Sequence, residues 1–378
     1  MNVLFANRRD SRNQLAGDVI QLQKTRECLE KMYDISISII YEPQDILTSD
    51  SDIVHVFNIQ TIDETLAFID TAKLCNKRVA LSPIYWDLFD ACVVGTLWKM
   101  GLGRYLSVFG HLRKLLNSAY RLKKHIFFAN SSSWGGKIYL EKRRRALLEA
   151  DIILPNSPEE MQILSMEFGI DPEYLKQKSL IVPNATNIDI SYCKRTINNN
   201  CLDINNFVLC VANIHPVKNQ LSIIMAFFEM KEVPIVLVGD IGSTSYYDEI
   251  LMLSRKRGNV HILGRVNHND IYEIYRCATV HVLASFRESP GLSTIEALAC
   301  GCEVVVSCDR HCPNEHYGFN HYAHKCDPYS IASIRNAIFE SYHKKKNTIT
   351  REEMTKYSYE RAATMTREAY EMMLSKSG

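Results

Sequence analysis

Short apolar runs that alternate with longer helical patterns are the feature that most constrains how this chain can fold. The first half of the chain contains strand candidates at residues 3–6, 35–41, 53–57, 78–82 and 152–155. The second half repeats the pattern at residues 207–211, 235–238, 260–263, 280–284 and 304–307. Helix-period segments, such as residues 17–32 and 64–75, lie between them. Strands that alternate with helices predict parallel sheets in doubly wound α/β domains.

The chain length agrees with more than one such domain, because 378 residues exceed the usual size of a single core. A turn-rich stretch at residues 182–187 separates the two halves of the pattern. We therefore predict domains at residues 1–186 and 187–356. Residues 357–378 form a final helical pattern, in which Tyr359, Ala362, Ala363, Met365, Ala369, Tyr370 and Met373 can share one face.

Composition excludes several classes of protein. A formal net charge of +1 gives no overall basic field for nucleic acid. The most apolar long stretch, residues 84–109, contains four charged residues and does not predict a membrane span. Residues 1–6 resemble a first strand rather than a signal peptide. Twelve cysteines without framework spacing favour a reducing cytoplasm.

Two acidic residues in the second half lie where a strand passes through a loop into a helix. Glu288 lies in the loop after the strand at residues 280–284, and Glu296 lies seven intervening residues later, in a helix that begins near Ser293. A helix start at the carboxyl edge of a parallel sheet presents backbone N–H groups to anionic ligands. Carboxylates beside that edge can accept hydrogen bonds from the paired hydroxyls of a sugar or a ribose. The segment predicts a site for a carbohydrate nucleotide.

Neighbouring loops have residues suited to a diphosphate. Lys218 follows the strand at residues 207–211, and an ammonium can neutralise phosphate as a point charge. Gly239 follows the strand at residues 235–238 and permits a sharp strand exit. Each signal is weak alone, but all of them fall at the carboxyl ends of parallel strands. We expect them to meet at one edge.

These residues resemble the C-terminal domain of the GT-B glycosyltransferases, specifically the retaining family 4 group. The resemblance is carried by residues 212–219 (ANIHPVKN), 236–240 (VLVGD), 259–288 and 296–301 (EALACG), and it continues into residues 357–363 of the tail. A thinner similarity in the first half involves residues 16–18, 52–55 and 182–184. The resemblance as a whole implies two Rossmann-like domains that face each other across a cleft, with a C-terminal helix that crosses back to the N-terminal domain. The N-terminal domain would bind the acceptor.

The resemblance also implies roles for individual residues. Glu296 would hold the ribose hydroxyls, Glu288 would contact the donor sugar, and Lys218 would neutralise the diphosphate. The backbone around Ser289, Pro290, Gly291 and Leu292 would face sugar and phosphate. Arg265 would lie beside the base, Gly239 would border the nucleotide, and Gly17 would close the phosphate pocket from the other domain. No metal or cofactor is implied, and Asp50-Ser51-Asp52 is interpreted as a turn and strand cap rather than a metal site.

The chain departs from the family at two of these positions. Asn213 stands where the family usually has an arginine, so Arg265, Arg287, Arg8 or Arg9 are candidate substitutes. Many family members have a histidine after the fourth strand of the first domain, and this chain has none there. Asp87, in the same loop, is the candidate to assist the acceptor hydroxyl. The neighbouring Trp86 is equally well interpreted as a packing residue.

Residues 99–145 contain twelve lysines and arginines but a single acid, Glu141. Leucines and aromatic residues recur at helical spacing within this segment, as in helices that lie on anionic membrane surfaces. The alternative is an apolar stripe that packs on the first sheet beneath solvated charges. A membrane surface would suit a glycolipid acceptor at the cytoplasmic face.

Cysteines and histidines crowd residues 300–326, but no CxxC pair occurs, and we interpret them as core and surface residues rather than a zinc site. The function expected from these features is a retaining, metal-independent transferase that uses a nucleotide-diphosphate sugar and contributes to polysaccharide biosynthesis. Its acceptor would be a glycan or a glycolipid. Two alternatives stay open: a non-catalytic nucleotide-sugar-binding subunit of a glycan-assembly complex, and a nucleotide-sugar epimerase on the same fold.

Overall fold

The structure is a computed structural model that describes residues 1–12, 17–87, 89–103, 137–186, 204, 206–343 and 349–375. Helices and strands alternate through the first half of the chain. The order is β1 (Asn2–Ala6), α1 (Gly17–Met32), β2 (Ser36–Ile40), β3 (Ile53–Phe57), α2 (Ile62–Leu74), β4 (Arg78–Ser82), α3 (Phe89–Lys99), α4 (Lys137–Glu149), β5 (Ile152–Ile153), α5 (Pro158–Phe168) and α6 (Pro172–Gln177). Short 3-10 turns occupy Arg9–Arg12 and Pro43–Ile46.

The second half repeats the alternation and ends in three helices. The order is β6 (Phe207–Val211), a 3-10 turn (Pro216–Lys218), α7 (Gln220–Ala226), β7 (Ile235–Val238), α8 (Thr244–Arg257), β8 (Val260–Gly264), α9 (His268–Cys277), β9 (Ala278–Leu283), α10 (Leu292–Ala299), β10 (Glu303–Ser307), α11 (Phe319–Tyr322), β11 (Ala323–Cys326), α12 (Ile331–His343), α13 (Arg351–Thr355) and α14 (Tyr359–Ser375).

The chain divides into two compact units. The described residues of Met1–Trp86, Ser118–Asn187 and Thr355–Gly378 form the first unit, and those of Asp87–Asn117 and Ile188–Met354 form the second. Each unit has one parallel sheet, so the predicted fold class is confirmed. Helix α3 packs within the second unit although it precedes the predicted domain boundary at residue 186.

The sheet of the first unit has the order β2-β1-β3-β4-β5, with all described pairs parallel. Apolar side chains from β1, β3 and β4 form its core together with residues of α1 and α14. The terminal helix α14 packs against α1 in this unit. Its buried face includes Thr366 in place of the predicted Met365, because residue 366 lies one turn after the buried Ala362.

The sheet of the second unit has the order β11-β10-β9-β6-β7-β8, and its pairs are also parallel. Its core combines buried residues of β6, β7 and β9 with those of α7 and α12. Strand β11 was not predicted. Its sequence, Ala-His-Lys-Cys, lies within the cysteine- and histidine-rich stretch and carries an exposed lysine on an edge strand, so it lacks a continuous apolar signal.

Two sequence features prove structural within the first unit. The Asp52 carboxylate accepts a hydrogen bond from the backbone N–H of Asn2 at 3.1 Å, as the strand-cap interpretation predicts. Trp86 is buried, with 2% of its surface exposed, which agrees with a packing role. No helix in the described ranges is both long and apolar enough to cross a bilayer.

Candidate functional site

The strand order of the sheet in the second unit reverses between β6 and β9. These two strands are neighbours, although β7 and β8 separate them in the chain. The connection after β6 leads to one side of the sheet order, and the connection after β9 leads to the other. A crevice forms at the carboxyl ends of strands at such a switch point, and open α/β sheets bind ligands there.

The loop after β6 positions Lys218 at this edge. His215 begins the 3-10 turn, and its Nδ1 accepts a hydrogen bond from the N–H of Val217 at 3.3 Å. Asn219 adopts a left-handed conformation with φ of 62°. The buried amide of Asn219 donates to the carbonyl oxygens of Ala284 at 3.0 Å and Pro328 at 2.8 Å. Lys218 is therefore held by a loop that is anchored to the end of β9.

The loop after β9 positions Glu288 beside it. The N–H of Phe286 donates to the carbonyl of Val217 at 2.8 Å, so the two loops are joined by their backbones. The N–H of Glu288 donates to the carbonyl of His311 at 2.7 Å. Only 6% of Glu288 is exposed. These contacts fix the backbone of the loop that carries the Glu288 carboxylate.

Lys218 and Glu288 form the central contact of the site. Lys218 Nζ lies 2.6 Å from Glu288 Oε1, and 28% of the lysine side chain is exposed to solvent. A short hydrogen bond between an ammonium and a carboxylate is charge-assisted and stronger than one between neutral groups. An ammonium has three donors, so Lys218 can contact this carboxylate and another anion at once.

Gly291 is required next to Glu288. Its φ is +87°, and a Cβ placed on it would lie 2.6 Å from Leu283 Cδ2 and 3.3 Å from Glu288 Oε2. The preceding Ser289-Pro290 peptide bond is cis. Helix α10 begins at Leu292, whose N–H belongs to the first turn and has no acceptor within the helix. The backbone from residue 289 to 292 thus lies beside the Lys218–Glu288 pair.

The loop after β7 contacts the loop after β6. Gly239 has φ of +144°, and a Cβ there would lie 2.2 Å from the carbonyl oxygen of Ala212, so only glycine fits. The side chain of Asn213 is exposed at this contact. Asp240 and Arg265 form an ion pair at 3.0 Å, with 47% and 59% of their side chains exposed. The predicted positions 213, 239 and 265 therefore lie along neighbouring strand ends.

Glu296 uses a different partner from Glu288. Tyr275 Oη donates a hydrogen bond to Glu296 Oε2 at 3.0 Å. Tyr275 is fully buried, whereas Glu296 is half-buried in α10. Burial and the charge of Glu296 raise the pKa of Tyr275 well above its ordinary value, so the phenol stays protonated.

Residues 199–361 match the family described as glycosyl transferases group 1. The matched segment begins before β6 and ends in α14, so it includes β6, β9, α10 and the loops that carry Lys218 and Glu288. It spans less than half of the chain. No curated protein matches this sequence.

Solved structures share the fold over nearly the whole chain. A sucrose-phosphate synthase from Thermosynechococcus elongatus has a TM-score of 0.70 at 14% identity, with 100% of both chains covered. Anabaena HepE, in complex with UDP, has a TM-score of 0.66 at 15% identity and covers 98% of this chain and 100% of its own. A UDP-GlcNAc 2-epimerase from Methanocaldococcus jannaschii has a TM-score of 0.57 at 12% identity and covers 98% and 100%. At these identities the similarity establishes the fold, which is GT-B.

Two further predicted residues are Gly17, which belongs to the first unit, and Asp87, which has a local structural contact. Gly17 begins α1 in the first unit, and a Cβ there would meet nothing within 4 Å, so no close approach requires glycine. Asp87 Oδ1 accepts a hydrogen bond from the N–H of Phe89 at 2.9 Å at the start of α3. The carboxylate also acts electrostatically on His311, whose carbonyl holds Glu288. The roles predicted for Gly17 and Asp87 stay predictions.

Three of the four candidate substitutes for the missing arginine have acidic partners, namely Arg8, Arg9 and Arg265. In the first unit, Arg8 lies 3.1 Å from Asp10, and Arg9 lies 2.6 Å from Glu42. In the second unit, Arg265 is paired with Asp240. None of these contacts gives one arginine a clear advantage over the others.

Sequence reasoning missed a buried group behind Glu288. Asp90, at the start of α3, is 3% exposed and accepts hydrogen bonds from Tyr329 Oη at 2.5 Å and Arg310 Nε at 3.1 Å. His311 Nδ1 lies 2.9 Å from the carbonyl of Phe286 and 3.7 Å from Asp90. Burial lowers the pKa of His311 to about 4. No local motif signals this group, because Asp90 and Arg310 are 220 residues apart.

The cysteine- and histidine-rich stretch shows no arrangement of the kind that binds a metal. Cys300, Cys302, Cys312 and Cys326 are buried, and burial raises the pKa of the Cys302 and Cys326 thiols. In the part of the chain that the structure describes, no three histidine, cysteine or acidic side chains are grouped as metal ligands.

The basic segment at residues 99–145 lies mostly outside the described residues. Its described end, in α4, contacts the first unit through its charges. Arg143 is 1% exposed and donates to the carbonyl of Ile59 at 3.0 Å. Lys142 pairs with Asp63 at 2.6 Å, and Arg145 pairs with Asp70 at 2.5 Å. These three cations are engaged by the protein itself.

Proposed function

We propose that this protein is a retaining glycosyltransferase that moves a sugar from a nucleotide-diphosphate sugar to a glycan or a lipid-linked acceptor at the cytoplasmic membrane face. The observation that carries the proposal is the Lys218–Glu288 pair at the switch point between β6 and β9. This point is where doubly wound sheets bind nucleotides. It lies inside the segment that matches glycosyl transferases group 1.

The chemistry of sugar transfer fits the charges at this edge. Breaking the bond between sugar and phosphate develops negative charge on the diphosphate and positive charge on the sugar. The Lys218 ammonium and the first-turn N–H groups of α10 would stabilise the diphosphate, and the Glu288 carboxylate would stabilise the sugar cation. Because Lys218 contacts Glu288 directly, one bound donor would meet both groups.

The remaining site residues would bind and orient the donor. Glu296 would accept hydrogen bonds from the ribose hydroxyls, and Arg265 would lie beside the base. The exposed amide of Asn213 and the backbone at Gly239 would border the diphosphate. We propose no metal in the reaction, so turnover should be unchanged by a chelator such as EDTA.

HepE was solved with UDP, which makes UDP the first nucleotide to test with this protein. One of the similar structures is an epimerase, so a second candidate function is epimerisation of the nucleotide sugar, which needs no acceptor. A third candidate is binding without turnover, as in a non-catalytic subunit. The three differ in products, so one set of assays separates them.

The test begins with binding. Thermal unfolding of the purified chain is measured with UDP, GDP, ADP and their sugars, and a ligand at 100 times its Kd stabilises by about 2.7 kcal/mol. Release of nucleotide diphosphate is then followed with and without a membrane extract as the acceptor source. We expect release that depends on the extract and is lost in Glu288→Gln.

Each other result has a definite meaning. Epimerised donor in the absence of extract supports the epimerase, and binding without any turnover supports the non-catalytic subunit. If no nucleotide or nucleotide sugar stabilises the protein, the donor site is wrong. Lys325→Ala is the matched control, because Lys325 of the edge strand β11 forms an ion pair of the same 2.6 Å length with Asp309.

A further inference from the structure

Tyr275 supports Glu296 from the core side. The tyrosine lies in the last turn of α9, has no exposed surface, and donates its hydroxyl to Glu296 Oε2 at 3.0 Å. Glu296 lies in α10 and is half-buried. Helices α9 and α10 pack together, so this hydrogen bond joins two neighbouring helices. One oxygen of the carboxylate is therefore fixed by a group that solvent does not reach.

The direction of this hydrogen bond is defined by the chemistry of the two groups. An ionised carboxylate only accepts hydrogen bonds, and a phenol can donate one. Burial and the nearby charge of Glu296 raise the pKa of Tyr275 well above its ordinary value. The hydroxyl is thus held in its protonated, hydrogen-bond-donating form.

The surroundings of Tyr275 leave little freedom for its ring. His281 of β9 contacts it edge to face, with ring centroids 5.7 Å apart. Burial lowers the pKa of His281 to about 3, so this neighbour is neutral and does not compete for the carboxylate. The phenol is a rigid, uncharged donor aimed at one oxygen of Glu296.

A rigid donor matters because a glutamate side chain is otherwise flexible. Ordering such a side chain costs rotamer entropy. If the protein orders it before the ligand arrives, this cost no longer reduces the affinity. A hydrogen bond to a charged group is strong enough to do so.

We propose that Tyr275 is a positioning residue that presents the Glu296 carboxylate to the paired hydroxyls of the donor's ribose. The inference rests on the proposed function, in which Glu296 binds that ribose. Tyr275 itself would touch no part of the ligand. The competing explanation is that Glu296 merely satisfies a buried hydroxyl, in which case the hydrogen bond stabilises the fold and leaves ligand affinity unchanged.

The experiment is a double-mutant cycle on nucleotide affinity. The Kd for UDP, or for whichever of GDP and ADP the wild type binds more tightly, is measured for wild type, Tyr275→Phe, Glu296→Ala and the double variant. We expect Tyr275→Phe to raise the Kd about tenfold, which is about 1.4 kcal/mol. In the Glu296→Ala background the same change should have no further effect, because the partner is gone.

Two further measurements separate positioning from general damage. The 2′,3′-dideoxy form of the same nucleotide has no paired hydroxyls, so its Kd should be equal for wild type and Tyr275→Phe. In turnover, KM for the donor should rise while kcat stays near the wild-type value. General damage would raise the Kd of the dideoxy nucleotide as well, and a merely structural role would leave the KM for the donor unchanged.

Tyr322→Phe is the matched control. Tyr322 also donates its hydroxyl to a glutamate, Glu353, but it lies in α11 next to the edge strand β11 rather than at the switch point. This variant should bind nucleotide as the wild type does. If Tyr275→Phe is unstable at the assay temperature, its Kd and that of the wild type are compared at a lower temperature at which both proteins are folded.

The outcomes distinguish failure of this inference from failure of the proposed function. Wild-type affinity in Tyr275→Phe, with weakened binding in Glu296→Ala, would overturn the positioning role and leave the donor site intact. An equal loss for the dideoxy nucleotide would also overturn it. If the wild type binds no nucleotide, the proposed function itself is wrong.

Discussion

The two units place a histidine in the same short motif at the same topological position, and they use it differently. Val-His-Val occurs in β3 with His55 and in β9 with His281. Strand β3 lies beside β1, and β9 lies beside β6, where the strand order of each sheet reverses. Both histidines are fully buried, and burial lowers the pKa of each to about 3.

The difference lies in their partners. His55 has Tyr370 Oη 2.7 Å from one ring nitrogen and Ser82 Oγ 2.9 Å from the other. His281 Nε2 accepts only a long hydrogen bond of 3.4 Å from the N–H of Val211, and its Nδ1 has no hydrogen-bond partner within the described residues. The first histidine joins two strands to the terminal helix. The second histidine makes few polar contacts. At its switch point the polar contact is made by loop residues, Lys218 and Glu288.

Buried arginines extend the comparison and give the largest expected effect on stability. Arg257 donates to the carbonyls of Phe227, Met230, Val233, Gly258 and Asn259 in the second unit. Arg257→Leu would leave these acceptors unpaired, and we expect a loss of about 3–5 kcal/mol in unfolding free energy, measured with urea.

Hydrogen exchange can assign that loss to one unit. Arg257→Leu should lower amide protection in β7, β8 and α8, whereas Arg143→Leu should lower it in α2 and α4 of the first unit. The two variants are matched because each arginine is 1% exposed. Equal losses in both units for both variants would contradict the division into separate cores.

The site of the second unit gives the next largest effect. Lys218→Ala removes the ammonium that would stabilise the leaving diphosphate, and losing one such donor typically lowers kcat by about 10²- to 10³-fold. We expect this loss in release of nucleotide diphosphate, whereas Lys325→Ala should stay within twofold of wild type. Similar rates for both variants would remove Lys218 from the reaction.

Sequence reasoning proposed site residues but could not give the contacts between them. Lys218 and Glu288 were predicted from their places after strands, but they are 70 residues apart, and their contact depends on β6 and β9 being neighbours. Strand order is a property of the whole sheet, which no local pattern encodes. The same reason explains why Asp90 was missed: its partners come from loops more than two hundred residues later.

The fold itself followed from local patterns wherever these were strong. Several predicted strands, including residues 53–57, 78–82 and 207–211, have the observed bounds, because continuous apolar runs identify buried parallel strands. Strand β11 lacks such a run and was missed. The assignment of α3 to the second unit was also invisible in the sequence, because its packing against Phe286 and Tyr329 joins distant segments.

The pair of histidines predicts a shared response to pH. A folded pKa near 3, below the ordinary 6.5, means that the unfolded chain takes up the proton first as the pH falls. Stability is therefore complete above about pH 6.5 and is lost progressively towards pH 3, by up to about 1.4 kcal/mol per pH unit for each histidine. His55→Leu and His281→Leu should each reduce this slope, measured by urea unfolding between pH 7 and pH 5.

The same two variants should differ at neutral pH. His55→Leu leaves the hydroxyls of Tyr370 and Ser82 without the ring, so we expect a loss of about 2–3 kcal/mol at pH 7. His281→Leu removes an unpaired nitrogen and one long hydrogen bond, and about 1 kcal/mol or less is expected. Equal losses would mean that the two histidines, despite their different partners, contribute alike.

The smallest effect is expected at the described end of the basic segment. Lys142 and Arg145 face Asp63 and Asp70 of α2, and the hydrogen bond that Lys142 donates to Asp63 raises the pKa of Lys142. Cations that are already paired with carboxylates in the first unit are attracted only weakly to an anionic membrane surface. We expect Lys142→Ala and Arg145→Ala to change the affinity for vesicles containing phosphatidylserine by no more than about twofold. Vesicle flotation at about 0.1 M salt measures this affinity. Membrane docking should instead depend on the remaining cations of the segment, since each cation near an anionic leaflet contributes about 1 kcal/mol. A large loss in either variant would show that these ion pairs open at the membrane.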